Sequence, residues 1–102
     1  MKEKILRKLF LGFMQIHILH HGKKEAFYGS WMMDELKEHG YDISPGTLYP
    51  LLHNMESKKL LKKDDRIVHG KVRKYYSTTD LGDQVLEETR IKAYELFKEI
   101  KD

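Results

Sequence analysis

One hundred and two residues without a cysteine, carrying a formal charge of +3 at pH 7, describe one small domain with neither a disulfide framework nor a thiolate metal site. A chain this short buries a modest core, so a second subunit would help it, and the absence of cysteine fits a reducing compartment, which makes the cytoplasm the expected location. The charge is concentrated: residues 58–76 hold eight Lys or Arg against Asp64 and Asp65, a local +6 that leaves the remainder at −3 and points to a polyanion.

From about Lys4 to His21 the chain reads as a helix whose Ile5, Leu6, Leu9, Phe10, Phe13, Met14, Ile16 and Ile18 cover more than one face. One small core rarely needs so wide a stripe. Lys2, Lys4, Arg7 and Lys8 ahead of it give a superficial likeness to a signal peptide, but Gln15, His17, His20 and His21 interrupt the apolar run and no small-residue cleavage site follows. No membrane span is expected either. Gly22 is expected to end this helix, and Gly12 inside it costs about 1 kcal/mol against Ala, which suggests a close approach by another helix. After a polar loop and Phe27-Tyr28-Gly29, a second helix runs from about Ser30 to Glu38 and stops at Gly40, with Met32, Met33 and Leu36 facing the core.

The next stretch, residues 44–58, has the clearest start of any element. Ser44 can cap the first turn, Pro45 fits the first helical position, and Ile43 can staple onto Leu48. Leu48, Leu51, Leu52 and Met55 form one apolar stripe, while Gly46, Thr47, Pro50, His53, Asn54 and Ser57, with Tyr49 at the edge, leave the other face uncharged. A merely solvated face would carry Lys and Glu; this one suits close approach to a large partner, as a recognition helix does. Pro50 lies past the first turn and predicts a local kink.

Segments 60–68 and 72–78 read as two strands joined at His69-Gly70, the wing of the domain. Alternation is expected to put Tyr76 and Thr78 inward and Lys74 outward. Thr79 or Asp80 can cap a last helix to about Lys101, with Leu81, Val85, Leu86, Ala93, Leu96, Phe97 and Ile100 in a sustained stripe. The expected fold is therefore mainly α with a small β-hairpin: a winged helix-turn-helix with additional N- and C-terminal dimerisation helices. It forms one domain over residues 1–102, a DNA-binding core to about residue 78 followed by a dimerisation helix from about 79 to 102.

Ser44-Pro-Gly-Thr-Leu-Tyr-Pro-Leu-Leu52 closely resembles the signature of PadR-family transcriptional regulators. Phe27-Tyr28-Gly29, the run Arg73-Lys74-Tyr75-Tyr76, and Thr79 followed by Gly82 match the same family in order, so the resemblance covers most of the chain. Two departures stand out. Family members often have Gly before the paired apolar residues after the helix, where this chain has Lys59 before Leu60-Leu61. The wing often reads Gly-Arg-Pro-Arg-Lys, and here it is Gly70-Lys71-Val72-Arg73-Lys74, which keeps charge and loses stiffness.

The resemblance implies a sequence-specific repressor that binds double-stranded DNA at an inverted-repeat operator as a homodimer. Phosphate contacts are assigned to Lys71, Arg73 and Lys74 and to the hydroxyls of Thr47 and Tyr49; base edges fall to His53 and Asn54, with Gly46 allowing approach. Ser44 at the helix start and Tyr28 complete the candidate DNA-binding set, although Tyr28 fits a structural role beneath the turn equally well. Taken alone, the basic hairpin would be a solvated edge that discourages aggregation; its place directly after the recognition helix favours DNA. The dimer interface is expected to use Leu9, Phe10, Phe13, Val85, Leu86, Ala93, Leu96, Phe97 and Ile100. PadR relatives include sensors of phenolic acids and drugs, which implies release by a small aromatic or amphiphilic effector; Phe10, Phe13, Tyr94 and Phe97 are the candidate lining, with dimer core as their plainer role.

Other features have plainer explanations. His17 and His21 are one helical turn apart, but the sequence offers no clear third ligand, so no metal site is assigned. Trp31 and Met32-Met33 suit packing. No nucleophile sits beside a base and no carboxylates are paired in a plausible cleft, so no enzyme activity and no cofactor are expected. The competing class is a winged-helix module that binds another protein without specific DNA recognition.

Overall fold

In the computed structural model, which describes all residues Met1–Asp102, helices and strands follow the order α1 Lys2–Lys24, β1 Phe27–Tyr28, α2 Gly29–Glu38, α3 Pro45–Ser57, β2 Leu61–Val68, β3 Lys71–Thr78 and α4 Asp80–Ile100. Every element contributes to one core. Met14, Ile18 and Leu19 of α1, Met32 and Leu36 of α2, and Leu48, Leu52 and Met55 of α3 close over Phe27, Leu61 and Tyr76 from the strands and Leu86 from α4. Ile43 is buried in the same cluster as Leu48, as the staple at the start of α3 requires.

The sheet has three antiparallel strands in the order β1-β3-β2. Phe27-Tyr28 had no strand signature of its own; two residues pairing with Tyr76 and Tyr75 are too short to show an alternation. Between β2 and β3 the connection is two residues long, and His69 (φ 53°) and Gly70 (φ 77°) both lie in the left-handed region, the geometry that matches hairpin twist. Tyr76 and Thr78 are buried as expected. Lys74 is exposed for a different reason from the one alternation suggested: it has the parity of Tyr76 and so shares its sheet face, but the hairpin has run past the core by that point.

Several helix ends differ from expectation. Gly22 does not stop α1, which continues to Lys24; a Cβ on this buried glycine would lie 3.2 Å from the Phe27 ring, so its smallness serves packing. A Cβ on Gly12 would meet nothing within 4 Å outside its own helix backbone, so no other helix of the chain approaches there. Ser44 occupies the N-cap position of α3, yet its side chain accepts no capping bond; its carbonyl instead takes the Thr47 and Leu48 N–H groups, each at 3.0 Å. Pro50 lies inside α3, which remains one helix from Pro45 to Ser57.

The C-terminal ends of α2 and α3 share one device. Gly40 N–H reaches the Lys37 carbonyl and Tyr41 N–H the Leu36 carbonyl, the paired bonds of a Schellman cap, with Gly40 at φ 89°. At α3 the equivalent bonds run from Lys59 to Glu56 and from Leu60 to Met55, and Lys59 takes the left-handed place at φ 67°. The family's usual glycine before the apolar pair thus has a backbone reason, and this chain bears the steric cost of a Cβ there.

Leu60 then meets the start of α4. Thr79 N–H donates to the Leu60 carbonyl at 3.2 Å, the Thr79 hydroxyl donates to the Lys59 carbonyl, and the same oxygen accepts from Gly82 N–H at 3.0 Å. Any Cβ at Gly82 would collide with the Leu60 carbonyl, so the spacing of Thr79 and Gly82 follows from one close backbone crossing. Lys59→Gly should therefore stabilise the protein by about 0.5–1 kcal/mol, the left-handed penalty less the added freedom of the unfolded chain. Gly82→Ala should cost about 2–3 kcal/mol because backbone must move. Urea midpoints measure both, and equal effects of one sign would contradict this account of the joint.

Candidate nucleic-acid interface

The start of α3, the start of α2 and the outer part of β3 converge on one side of the molecule. Because β1 is only two residues long, it covers β3 at Tyr75 and Tyr76 and leaves the edge from Lys71 to Lys74 uncovered on that side. A cleft of about 510 Å³ opens there, lined by Tyr28, Gly29, Ser30, Tyr49, His53, Val72, Arg73, Lys74 and Tyr76. Its polar groups come from all three elements, so its shape depends on how α2, α3 and the wing are packed.

Two contacts set that packing. A Cβ on Gly29 would lie 2.5 Å from the Tyr49 ring, so glycine at the start of α2 is what lets Tyr49 of α3 lie across it. The second is a ladder on the sheet face turned away from the core. The Arg73 guanidinium lies 4.1 Å from the Tyr28 ring centre, Tyr28 meets Tyr75 edge to face at 5.6 Å, and Arg66 lies 4.4 Å over Tyr75. Arg66 and Arg73 are register partners whose like charges would repel; each is instead held over its own aromatic ring. Stacking holds each guanidinium plane; the N–H edges of Arg73 are left to donate, while Arg66 already gives its Nε–H to Asp64 at 3.3 Å.

Ser44, Gly46, His53, Asn54, Lys71, Arg73 and Lys74 are exposed; Tyr49 is 46% exposed and Thr47 and Tyr28 are half-buried. Of this set the cleft gathers Tyr28, Tyr49, His53, Arg73 and Lys74. Gly46, Thr47 and Asn54 of α3, its N-cap residue Ser44, and Lys71 of β3 lie outside its lining. Sequence reasoning missed Ser30 and Arg66. Ser30 sits in the first turn of α2, which has no side-chain cap and no acidic residue, so its early N–H groups favour an anion. The register opposite Arg73 was the only available signal for Arg66. Tyr76 is held above the ordinary phenol range, chiefly by burial, and stays neutral under the cleft.

The remaining candidate residues separate into covered and bare. Leu86 is buried and Val85 packs against the core, so both already serve the chain's own core. Leu9, Phe10, Phe13, Leu96, Phe97 and Ile100 remain exposed, and every residue from 91 to 102 is exposed. Phe13 lines an apolar cleft of about 450 Å³ between α1 and α4, with Ile16, His20, Tyr41, Arg90 and Ala93. Phe10 lines a neighbouring one beside Tyr41, while Tyr94 and Phe97 lie on the bare end of α4.

A helix-turn-helix whose second helix shows an uncharged face beside a basic wing defines a winged-helix transcriptional regulator. The chain belongs to the transcriptional regulator PadR-like family, whose model matches residues 18–88. It is 42% identical over 87 residues to the transcriptional regulator Rv3488 of Mycobacterium tuberculosis, covering 85% of this chain and 81% of that one. Among solved structures, a PadR family regulator from Eggerthella lenta superposes with a TM-score of 0.81 at 32% identity, over 97% of this chain and 88% of the other. A PadR-like protein from Bacillus cereus gives 0.79 at 29% identity, over 96% and 93%.

The aromatic support of Arg73 can be measured. A double-mutant cycle of Tyr28→Leu with Arg73→Ala should return a coupling of about 0.5–1 kcal/mol in stability. Coupling indistinguishable from zero would mean that the stack does not hold the guanidinium in solution.

Proposed function

We propose that the protein is a homodimeric repressor that binds an inverted-repeat operator in double-stranded DNA, in the cytoplasm. The observation that carries this reading is the shared cleft: His53 and Tyr49 of α3 face it together with Arg73 and Lys74 of the wing. A helix surface without charge can enter a major groove, and cations beside it can reach the flanking phosphates. His53 and Asn54 are assigned to base edges. Lys71, Arg73 and Lys74 are assigned to phosphates, with Ser44, Thr47, Tyr49 and Tyr28 as neutral partners around them. The free Ser44 hydroxyl supports this assignment, because it is not used as a cap.

Dimerisation is supported by the bare apolar ends. The radius of gyration is 14.6 Å against about 13 Å for an ordinary domain of this length, because α1 and α4 reach past the core. Leu9, Phe10 and Phe13 on α1 and Leu96, Phe97 and Ile100 on α4 would be covered by a second copy, and the open side of Gly12 would allow a helix to approach closely. Ala93 lines the cleft beside Phe13. Release of the operator by a small aromatic or amphiphilic molecule is the regulatory part of this reading. The cleft beside Phe13 supports it, and an operator complex indifferent to a broad panel of such molecules would remove it.

Half-sites should lie about 34 Å, one helical turn, or a multiple of that apart. At one fixed salt concentration, Arg73→Ala should weaken all DNA sequences alike and reduce the salt slope by about one, whereas His53→Ala or Asn54→Ala should cost about 1–3 kcal/mol on the operator and little on random DNA. Loss of base preference in Arg73→Ala, with both helix variants unchanged, would reverse the assignments; no salt-dependent DNA binding at all would favour a protein-binding module. Sedimentation should give about 24 kDa, twice the 12.2 kDa chain, and Leu96→Glu with Phe97→Glu should return the monomer.

A further inference from the structure

α1 and the C-terminal end of α2 each present a pair of side chains able to ligate a metal, spaced by four residues: His17 and His21 on the first, Glu35 of α2 and its C-cap residue His39 on the second. Packing brings the pairs together. His21 Nε2 lies 3.2 Å and His39 Nε2 3.4 Å from the same Glu35 oxygen, and the His17 and His39 ring centres are 4.5 Å apart. One nitrogen from each of the three imidazoles lies within 4.8 Å of the other two.

We propose that His17, His21, His39 and Glu35 form a binding site for a divalent transition-metal ion of the zinc class, clamping α1 to α2. Three imidazoles and one carboxylate are a nitrogen-rich set that suits zinc, cobalt or nickel and not magnesium or calcium, which take oxygen. A tetrahedral ion with ligands at about 2.0–2.1 Å has ligand-to-ligand edges of roughly 3.3 Å. Two of the six edges, His21–Glu35 and His39–Glu35, already have that length; the three imidazole nitrogens, now within 4.8 Å of one another, and His17 with Glu35 would close on the ion by side-chain rotation. The ion has a way in, since the His39 side chain is 47% exposed while those of His21 and Glu35 are 19% and 20% exposed. An ion pair between Glu35 and protonated histidines is the competing explanation of the same distances.

The site joins two parts of the molecule with different work. α1 carries the bare Leu9, Phe10 and Phe13, and α2 packs on α3, so an ion would fix the angle between them. The bearing of that angle on DNA rests on the proposed function; the site itself does not.

Equilibrium dialysis of tag-free protein against zinc chloride, without DNA, should find one ion per chain. Cobalt should give the intense visible absorption of tetrahedral coordination and quench Trp31, the only tryptophan, whose ring centre is 5.4 Å from that of His21. His39→Ala and Glu35→Gln should each weaken zinc at least tenfold, while His20→Ala and His53→Ala should bind as the parent does. His39 is exposed enough for its variant to keep the fold, which circular dichroism checks. No binding at about a hundredfold excess of zinc, or binding undiminished in both His39→Ala and Glu35→Gln, would overturn the site. Because no DNA is present, either result leaves the operator-binding reading to be judged separately.

Discussion

The carbonyl group of Leu60 is the point through which the end of α3, the base of the wing and the start of α4 are joined. It takes the Thr79 N–H, and only glycine at position 82 lets the first turn of α4 come so near. On the other side, Leu60 N–H closes the cap of α3 on Met55. Both polar groups of one peptide segment are thus used to connect elements. Leu61, the next residue, is fully inside the core and starts β2 there. A joint of this kind ties the base of the wing to the end of α3, which is what a surface built from both requires.

A second arrangement accompanies that joint. Arg73 and Arg66 face each other across two strands, an unfavourable placement for an isolated hairpin. Tyr28 and Tyr75 separate them by offering each guanidinium a ring. Tyr28 belongs to β1, far from the wing in sequence, so Arg73 of the wing stacks on a ring supplied by the segment that precedes α2. The cleft beside α3 therefore has its charge placed by aromatic packing from below.

Much of this architecture was legible because its signals are local. The start of α3, its split faces, the His69-Gly70 turn and the Thr79 cap each lie within a few residues, and each appears where expected. What could not be read depends on contacts between distant segments. β1 is too short for a periodic pattern and exists because Tyr75 and Tyr76 pair with it. Gly22 has the composition of a helix stop but the surroundings of a packing site against Phe27. Lys74 shares the sheet face of Tyr76 and is exposed only because the core ends before it, and where the core ended was not a property of the strand alone. Of the candidate site, the residue types were visible and their gathering was not: Arg73 signals charge, and its partner Tyr28 lies 45 positions earlier. Likewise, His17 and His21 lacked companions until α2 brought Glu35 and His39 beside them.

The bare last turns of α4 carry a further implication. From residue 91 onward every residue is exposed, and a helical segment of that length has little stability of its own in water. Helical order there would be borrowed from whatever covers it. If a second copy does so, the ends of α4 fray in dilute protein and become ordered as the concentration rises, so folding and assembly titrate together. Cellular abundance would then act as a threshold: a newly made chain contributes little until another is present, and proteases have their easiest access to the tail of the unpaired one.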